Sequence, residues 1–519
     1  MIRIFLVLTL FVVFNPAVAQ SPEVSYSTGE SISDRHKFSN IIATENDGKG
    51  GVIVVRAFYG GMIIRLQGYY IAHFNKSLEL IDEYTYKADD VEVMGVVSGT
   101  NGISIIEVGY NKDSGHYIYW ANTTPLDRFS FRKKELFRFK RERERRINFL
   151  TNYEVPFNDK FYSQLLFDSE KSVFMISIDS KSKSRDLHKI YFFDSNLNNL
   201  MEYVLEKETE DRHLVFENLE YNTNNNSFYL LSKAYEQGKR TKTISLKYRY
   251  QLFRFSKDEL PVMQYFEKKD LFASSLKLIP DNEVLKCVGF YSNYSDRKYR
   301  GLVYIELGAN DLTIKEQKFN PFSEQFMKDK YGAETDKELK NLAFRDLHVL
   351  DDGSIIFNAE EEYVSGTFKN NPDDSRTQIF IYHYNDIVCA KLNASGEMVW
   401  ARNINKAEKT MGDEAYVSYT SLVNNGNTCF FINSGSKPQE ISGERILFKK
   451  GYSKSPEVYM ILIDSSGNLS YTQVTTKKEV RLPVMVSEGL VSPDNQSVFF
   501  LARRGNRRQP LRVSASLNN

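Results

Sequence analysis

Three features of the sequence predict an all-β fold. One short turn rich in Asn, Asp and Gly recurs eight times ahead of a hydrophobic strand, and a second turn of the same chemistry recurs later in most of the units. The composition agrees, since 36 Phe and 32 Tyr stand against only 13 Pro and 28 Gly. The 519 residues are 41% hydrophobic and 26% charged with a formal net charge of +1 and three Cys, which excludes a disordered chain, a disulfide scaffold and a fibre.

The chain opens with Met1, Ile2 and Arg3, an apolar run from Ile4 to Phe14, a break at Asn15-Pro16 and then Ala17-Val18-Ala19 before Gln20. A single positive charge, a short apolar core and a small-x-small site are the marks of a secretory signal peptide, here residues 1–19. The core is shorter than the about 20 residues a membrane-spanning helix needs, and no later apolar run reaches that length, so no transmembrane segment is expected. The mature chain, 20–519, is expected to be a single exported domain, periplasmic or extracellular.

The first turn of each unit is Asn46-Asp47-Gly48, Thr100-Asn101-Gly102, Ser169-Glu170-Lys171, Asn224-Asn225-Asn226, Asp281-Asn282-Glu283, Asp351-Asp352-Gly353, Asn424-Asn425-Gly426 and Asp494-Asn495-Gln496. The second is Asn75-Lys76-Ser77, Asp194-Ser195-Asn196, Ser256-Lys257-Asp258, Gly308-Ala309-Asn310, Asn393-Ala394-Ser395-Gly396 and Asp464-Ser465-Ser466-Gly467. Two hairpins per unit give four antiparallel strands, A to D, and four-stranded units repeated in sequence are the blades of a β-propeller. Eight AB turns predict eight blades, with seven plus a flanking hairpin as the alternative. The last unit ends at Asn519 without a D strand, so the extended piece Glu23 to Ser27 is expected to pair into it and close the ring.

Residues 321–341 interrupt the β pattern. Phe322, Phe326 and Tyr331 among Glu and Lys, behind Pro321, predict a helix packed on the rim as cover. Nine Lys or Arg and three Glu lie between Arg132 and Arg146; Phe129, Phe131, Phe137 and Phe139 alternate with the first half, which predicts an outer strand with a solvated face rather than a nucleic-acid site. Cys287, Cys389 and Cys429 each sit in an apolar run and are expected to be buried free thiols. The seven His form no zinc motif, and no metal or cofactor is expected. Asp194 to Asn199 starts like a calcium loop, but Asn199 and Leu205 replace the Gly and Glu that such a loop requires.

Lys391 to Trp400 resembles the repeat of quinoprotein propellers, in which an Asn, a Gly and a Trp dock neighbouring blades. The matching stretch Asp464 to Tyr471 has no Trp, so a plain hairpin and no quinone cofactor are expected. Tyr384 to Lys391, Trp400 to Ile404 and Tyr416 to Tyr419, with Leu347 to Ser354 and the helix before it, resemble a family of uncharacterised secreted β-propeller proteins of the Bacteroidota over residues ~320–435. That resemblance implies an exported envelope protein and transfers no catalytic residue.

In a four-stranded blade the BC loops and the connections between blades lie at one end. Here the BC loops vary in length and carry an excess of Lys and Arg over their acidic residues. This end is expected to bind an anionic glycan, lipopolysaccharide or an envelope protein through Lys239, Arg240, Lys242, Arg503, Arg504, Arg507 and Arg508. A non-enzymatic binding or assembly module of the envelope is the function expected, and a propeller enzyme acting on a polysaccharide, with convergent carboxylates at the mouth of the channel, is the alternative.

Overall fold

The computed structural model describes residues 23–516 apart from 37, 62–64, 89–90, 141–147, 150–160, 182–185, 207–210, 237–247, 267–270, 282, 294–297, 336, 371–375, 436, 444, 450–456 and 477. The proposed signal peptide, residues 1–19, lies outside them. The described strands form eight antiparallel sheets that follow one another along the chain. Each is a meander in which strand A pairs B, B pairs C and C pairs D. The first is Ser39–Asn46, Val52–Gly60, Arg65–Phe74 and Leu80–Lys87; the second Glu92–Gly99, Gly102–Asn111, His116–Thr124 and Arg132–Lys140; the third Phe161–Phe167, Val173–Lys181, Asp186–Asp194 and Asn199–Glu206. The fourth is Asp211–Asn222, Ser227–Glu236, Tyr248–Ser256 and Val262–Phe266, and the fifth Leu271–Asp281, Val284–Asn293, Tyr299–Gly308 and Ile314–Pro321. The sixth is Leu342–Val349, Ile355–Asn370, Arg376–Leu392 and Met398–Thr410, and the seventh Thr420–Asn424, Asn427–Ser434, Glu457–Ile463 and Leu469–Gln473. The eighth combines Leu490–Val491, Ser497–Arg504 and Arg507–Ser516 with Glu23–Thr28, which runs antiparallel to the last of these from Glu23 opposite Ser516 to Thr28 opposite Leu511. This is the four-stranded repeat of a β-propeller.

The turns explain the repeat. Asn75, Asp194, Asn393 and Asp464 each accept, through Oδ1, the backbone N–H four residues on, at 2.8–3.0 Å. The residue three positions on takes a left-handed φ, as Leu78 (65°), Leu197 (68°), Gly396 (80°) and Gly467 (88°). Strands A of neighbouring sheets lie beside one another, including those of the eighth and first sheets. The sixth and seventh are joined where Ser421 Oγ donates to Asp346 Oδ2 at 2.8 Å. The core lies between sheets: Ile106, Val108 and Tyr119 of the second pack with Phe174, Ile176 and Phe193 of the third, all nearly fully buried.

Trp400 belongs to a plain hairpin, and it also docks the next sheet. Its Nε1 donates to the Ser465 carbonyl at 3.2 Å, and its ring covers Gly467. One sheet earlier Tyr304 covers Gly396, where an added Cβ would lie 2.2 Å from the ring on a backbone with φ of 80°. Gly396→Ala is therefore expected to lower stability by about 1–2 kcal/mol, through strain and overpacking, in urea denaturation. An unchanged midpoint would show that Tyr304 moves aside freely.

The helix is shorter than the 321–341 expected. It spans Glu324–Tyr331, capped by Ser323, whose hydroxyl accepts from Phe326 N, and it ends where Gly332 turns left-handed at φ 76°. It is rim cover as anticipated: Phe326 is fully buried and stacks on Phe322, and Asp329 holds Arg402 Nε of the sixth sheet at 2.5 Å. The BC connection of the seventh sheet contains a hairpin of its own, Gln439–Ile441 and Arg445–Lys449. Its second strand runs parallel to the outer edge of the sixth sheet, with Asn405 opposite Leu447, and covers that edge. Arg132–Lys140 is the outer strand of the second sheet, mostly exposed along its first half; residues 141–147 lie outside the description. All three Cys are buried free thiols.

Candidate functional site at the loop-bearing end

Five inner strands carry a β-bulge towards the end where the BC loops and inter-sheet connections lie, at Ile41/Ala43, Val93/Gly95, Phe216/Asn218, Ser274/Lys277 and Phe344/Asp346. A bulge breaks the alternation of side chains and re-aims one of them. In the sixth sheet the re-aimed residue is Arg345. Its Nη2 donates to Glu360 Oε2 at 2.7 Å and to Glu362 Oε2 at 2.8 Å, and its guanidinium lies 5.5 Å from the centre of the Tyr384 ring. Tyr384 Oη donates in turn to Glu414, on the connection to the seventh sheet. Beneath them Lys406, fully buried, sits 2.7 Å from both Glu360 Oε1 and Glu408 Oε2. Ser418 donates its hydroxyl to Glu360 Oε2 at 2.6 Å.

Burial, with the Glu414 charge beside it, pushes the Glu362 carboxyl up to about 7. Glu488, on the next connection, is likewise pushed up to about 7 by burial and by the charge of Asp413. Such groups hold a proton in the fold that the unfolded chain has already released near pH 4.5. The native state then binds more protons than the unfolded state between about pH 4.5 and 7, so each group's contribution falls as pH rises through that window. The stability difference between wild type and Glu488→Gln is expected to shift in favour of the variant by up to roughly 3 kcal/mol from pH 4 to pH 8. A pH-independent difference in denaturation midpoints would remove this reading.

The seven basic residues expected to form the binding face separate into three groups. Lys239, Arg240 and Lys242 lie outside the described residues. Arg504 and Arg507 are exposed on either side of the tight turn Gly505-Asn506. Arg503 and Arg508 stand opposite each other in the hairpin and point the other way, into the seam with the first sheet, where both are buried. Arg503 Nε donates to Asp34 Oδ2 at 2.8 Å and its other nitrogens donate to the carbonyls of Ser39 and His36; Asp34 also receives both ends of Arg56, at 2.7 and 2.9 Å. Arg508 Nη2 donates to Tyr70 Oη at 2.5 Å and lies 3.2 Å from Glu83 Oε2. Burial alone would raise the Asp34 carboxyl, but the hydrogen bonds and charge of Arg56, with Arg503 behind them, hold it at about 2. The strands continue to the turn, with Arg504 opposite Arg507, so their two-residue alternation buries one Arg of each adjacent pair. Arg503 and Arg508 are seam residues rather than loop cations.

The sixth sheet carries a second feature at this end. Strand A stops pairing at Glu361 and strand D at Tyr382, yet the BC hairpin continues as a two-stranded arm. Val364, Gly366 and Phe368 share one face with their cross-strand partners Tyr382, Phe380 and Gln378. On that face Val364, Phe368 and Phe380 are 44%, 65% and 50% exposed. The cluster of Arg345, Glu362, Tyr384 and Glu414 sits at the root of the arm, since Glu362 and Tyr384 are cross-strand partners at its base. Among the described residues no group of three or more His, Cys, Asp and Glu is placed to hold a metal ion, and no helix is long and apolar enough to cross a membrane.

No protein-family model matches the chain, and no curated protein is similar to it. Solved structures similar to it include the β-propeller domain of the trilobed protease from Pyrococcus furiosus, 10% identical over 72% of this chain and 96% of that one, with a TM-score of 0.32. Another is Sqt1 from Chaetomium thermophilum bound to the N-terminus of the ribosomal protein L10, 10% identical over 93% and 98% of the two chains, with a TM-score of 0.39. A third is an oligogalacturonate lyase in complex with manganese, 9% identical over 94% and 98%, with a TM-score of 0.35. The likeness is one of fold.

Proposed function

We propose that this chain is an exported, non-enzymatic binding or assembly module of the cell envelope, an eight-bladed propeller whose ring is closed by its N-terminal strand. Its partner is a second envelope protein that covers the arm of the sixth sheet. Export is supported by the apolar run Ile4 to Phe14 with its small-residue site, and by the resemblance to secreted propellers of the Bacteroidota. The observation that carries the function is the arm: a two-stranded ribbon is marginal in water on its own, and this one has edges that no described strand pairs and an exposed apolar face. Of the three partner classes expected from the sequence, an apolar ribbon fits a protein, by strand addition or face-to-face packing, better than an acidic glycan or lipopolysaccharide phosphates. Arg504 and Arg507, on the eighth sheet, lie outside this docking surface. In co-purification from envelope extract, Phe368→Ser with Phe380→Ser is expected to lose a partner that wild type and Arg504→Ser with Arg507→Ser retain. Equal recovery by all three proteins would refute docking on the arm.

The cluster at the arm's root supports a second reading, an enzyme acting on a polysaccharide. Glu362 keeps its proton near neutrality beside the hydrogen-bonded Tyr384 and Glu414, so one carboxyl is placed to donate a proton and another to accept one. Depolymerisation of an envelope polysaccharide that disappears in Glu414→Gln, with the fold intact, would favour this reading over the first.

A further inference from the structure

At the opposite end of the sheets, among the AB and CD turns, a cleft of about 820 Å³ opens where the seventh, eighth and first sheets meet. We propose that it binds a neutral oligosaccharide. The cleft is unconnected with the arm, and the proposal stands independently of the docking reading.

Two charged groups of the lining are already engaged. Arg512 is fixed by two backbone carbonyls, Nη1 donating to Lys76 O and Nη2 to Gly50 O, each at 2.8 Å. Asp494 accepts from Ser492 Oγ at 2.5 Å and from Gln496 N at 3.2 Å, which shapes its own turn. Among the described residues no hydrogen bond engages the side-chain amides of Asn46 and Gln496 or the hydroxyls of Ser497 and Ser514. All four line the cleft, and Ser497 and Ser514 are direct cross-strand partners that bring two hydroxyls together. None of the four occupies a left-handed position that would explain an Asn or Ser by turn geometry. Apart from the exposed ammonium of Lys76, the uncommitted groups named here are neutral, and each amide offers a donor and an acceptor side by side, the arrangement that vicinal sugar hydroxyls match.

The walls are built before any ligand arrives. Asp47 Oδ1 accepts from Lys49 N and Gly51 N, both at 2.7 Å, while Oδ2 pairs with His73 Nε2 at 2.9 Å, so the turn on the first-sheet side is fixed. Asn424 Nδ2 donates to Asn495 O at 2.9 Å and ties the seventh sheet to the eighth. Half-buried Leu490 adds apolar lining for the C–H face of a sugar ring, with the buried Phe499 behind it as floor. A preformed cleft of this size with a few convergent polar groups is the usual form of a small-ligand site.

Titration calorimetry on the full mature chain tests the proposal with cellotetraose, xylotetraose and triacetylchitotriose as neutral probes and trigalacturonate as an acidic one. At least one neutral probe is expected to bind wild type, and to bind Gln496→Ala with Ser514→Val about tenfold or more weakly, as loss of two hydrogen bonds implies. Arg504→Ser with Arg507→Ser, at the other end, is expected to bind as wild type does. Gln496→Ala alone, an exposed position, gives the same direction should the double variant fold poorly. Absence of binding by every neutral probe, binding by trigalacturonate alone through Lys76, or neutral binding that Gln496→Ala leaves unchanged would each overturn the assignment.

Discussion

Lys406→Met is expected to cost about 3–5 kcal/mol of folding stability, because it removes the cation from the centre of a buried charge cluster while nearly preserving its volume. The Lys406 ammonium is fully buried, 2.7 Å from a carboxylate oxygen of each of Glu360 and Glu408, and it donates to the Tyr384 carbonyl at 3.0 Å. Burial would lower the ammonium's pKa, but the charges of Glu360 and Glu408 more than reverse this and hold the proton on. Without Lys406, Glu408 keeps the Ser418 N–H at 2.8 Å and Glu360 keeps Arg345 and Ser418, so the cluster loses one of its two cations. Urea denaturation at pH 7 measures the loss, and a change below about 1 kcal/mol would mean that the carboxylates are neutral without it. Because Glu362 and Tyr384 stand next in this network, the variant is also expected to loosen the root of the arm. Faster amide exchange in residues 361–386 would register that.

Asp34→Ala carries the second large effect, again about 3–5 kcal/mol, because it leaves two buried guanidinium groups facing each other without a carboxylate. Asp34 joins three parts of the chain: the segment that follows the N-terminal strand, Arg56 of the first sheet and Arg503 of the eighth. The same residue gives the wild type a distinct acid response. Its carboxyl sits at about 2 against an ordinary 3.8, so it contributes stability that is fully present above about pH 4 and is lost as pH falls towards 2. Asp34→Asn should therefore flatten the stability profile below pH 4 as well as lower it at neutrality. Limited proteolysis offers an independent check: cleavage between residues 28 and 38 is expected to accelerate in the variant, and unchanged cleavage would show that β-pairing alone secures the N-terminal segment.

Much of the fold was legible because its turns need particular chemistry. Asn or Asp at the first position of a CD turn accepts the N–H four residues on, and Gly or Asn takes the left-handed positions, so Asn393 to Gly396 and Asp464 to Gly467 announce themselves. The helix itself was legible through Phe322, Phe326 and Tyr331 behind Pro321, although it starts at Glu324, after the Ser323 cap, rather than at 321. Its end was not weighed correctly, although Gly332 is an ordinary stop signal. The hairpin at 439–449 had one local sign, Gly443, which turns left-handed at φ 75° between its strands; its docking had none, because the strand it joins, Asn405 to Ala407, is remote and parallel.

The candidate site was the least legible part. Glu360, Lys406 and Glu408 look like solvent-side residues of strands, and only the packing of the sixth sheet on the connection at Glu414 and Ser418 turns them into a buried cluster. The run Glu360-Glu361-Glu362 was the available hint, since three acids at the end of a buried strand need cations from elsewhere. Arg503 and Arg508 show the reverse error. Counting charges in a loop cannot separate a residue facing water from one facing the neighbouring sheet, whereas extending the strand alternation by two residues would have done so.

The arm of the sixth sheet gives the account its most direct test. A photo-crosslinking amino acid placed at position 368 of the full chain, expressed in its native host, should trap one discrete protein partner, and Phe380→Ser in the same molecule should abolish the product. The same probe at position 504 should trap that partner weakly or not at all. A strong crosslink at 504 with none at 368, or a product at 368 indifferent to Phe380→Ser, would contradict a partner docked on the apolar face of the arm.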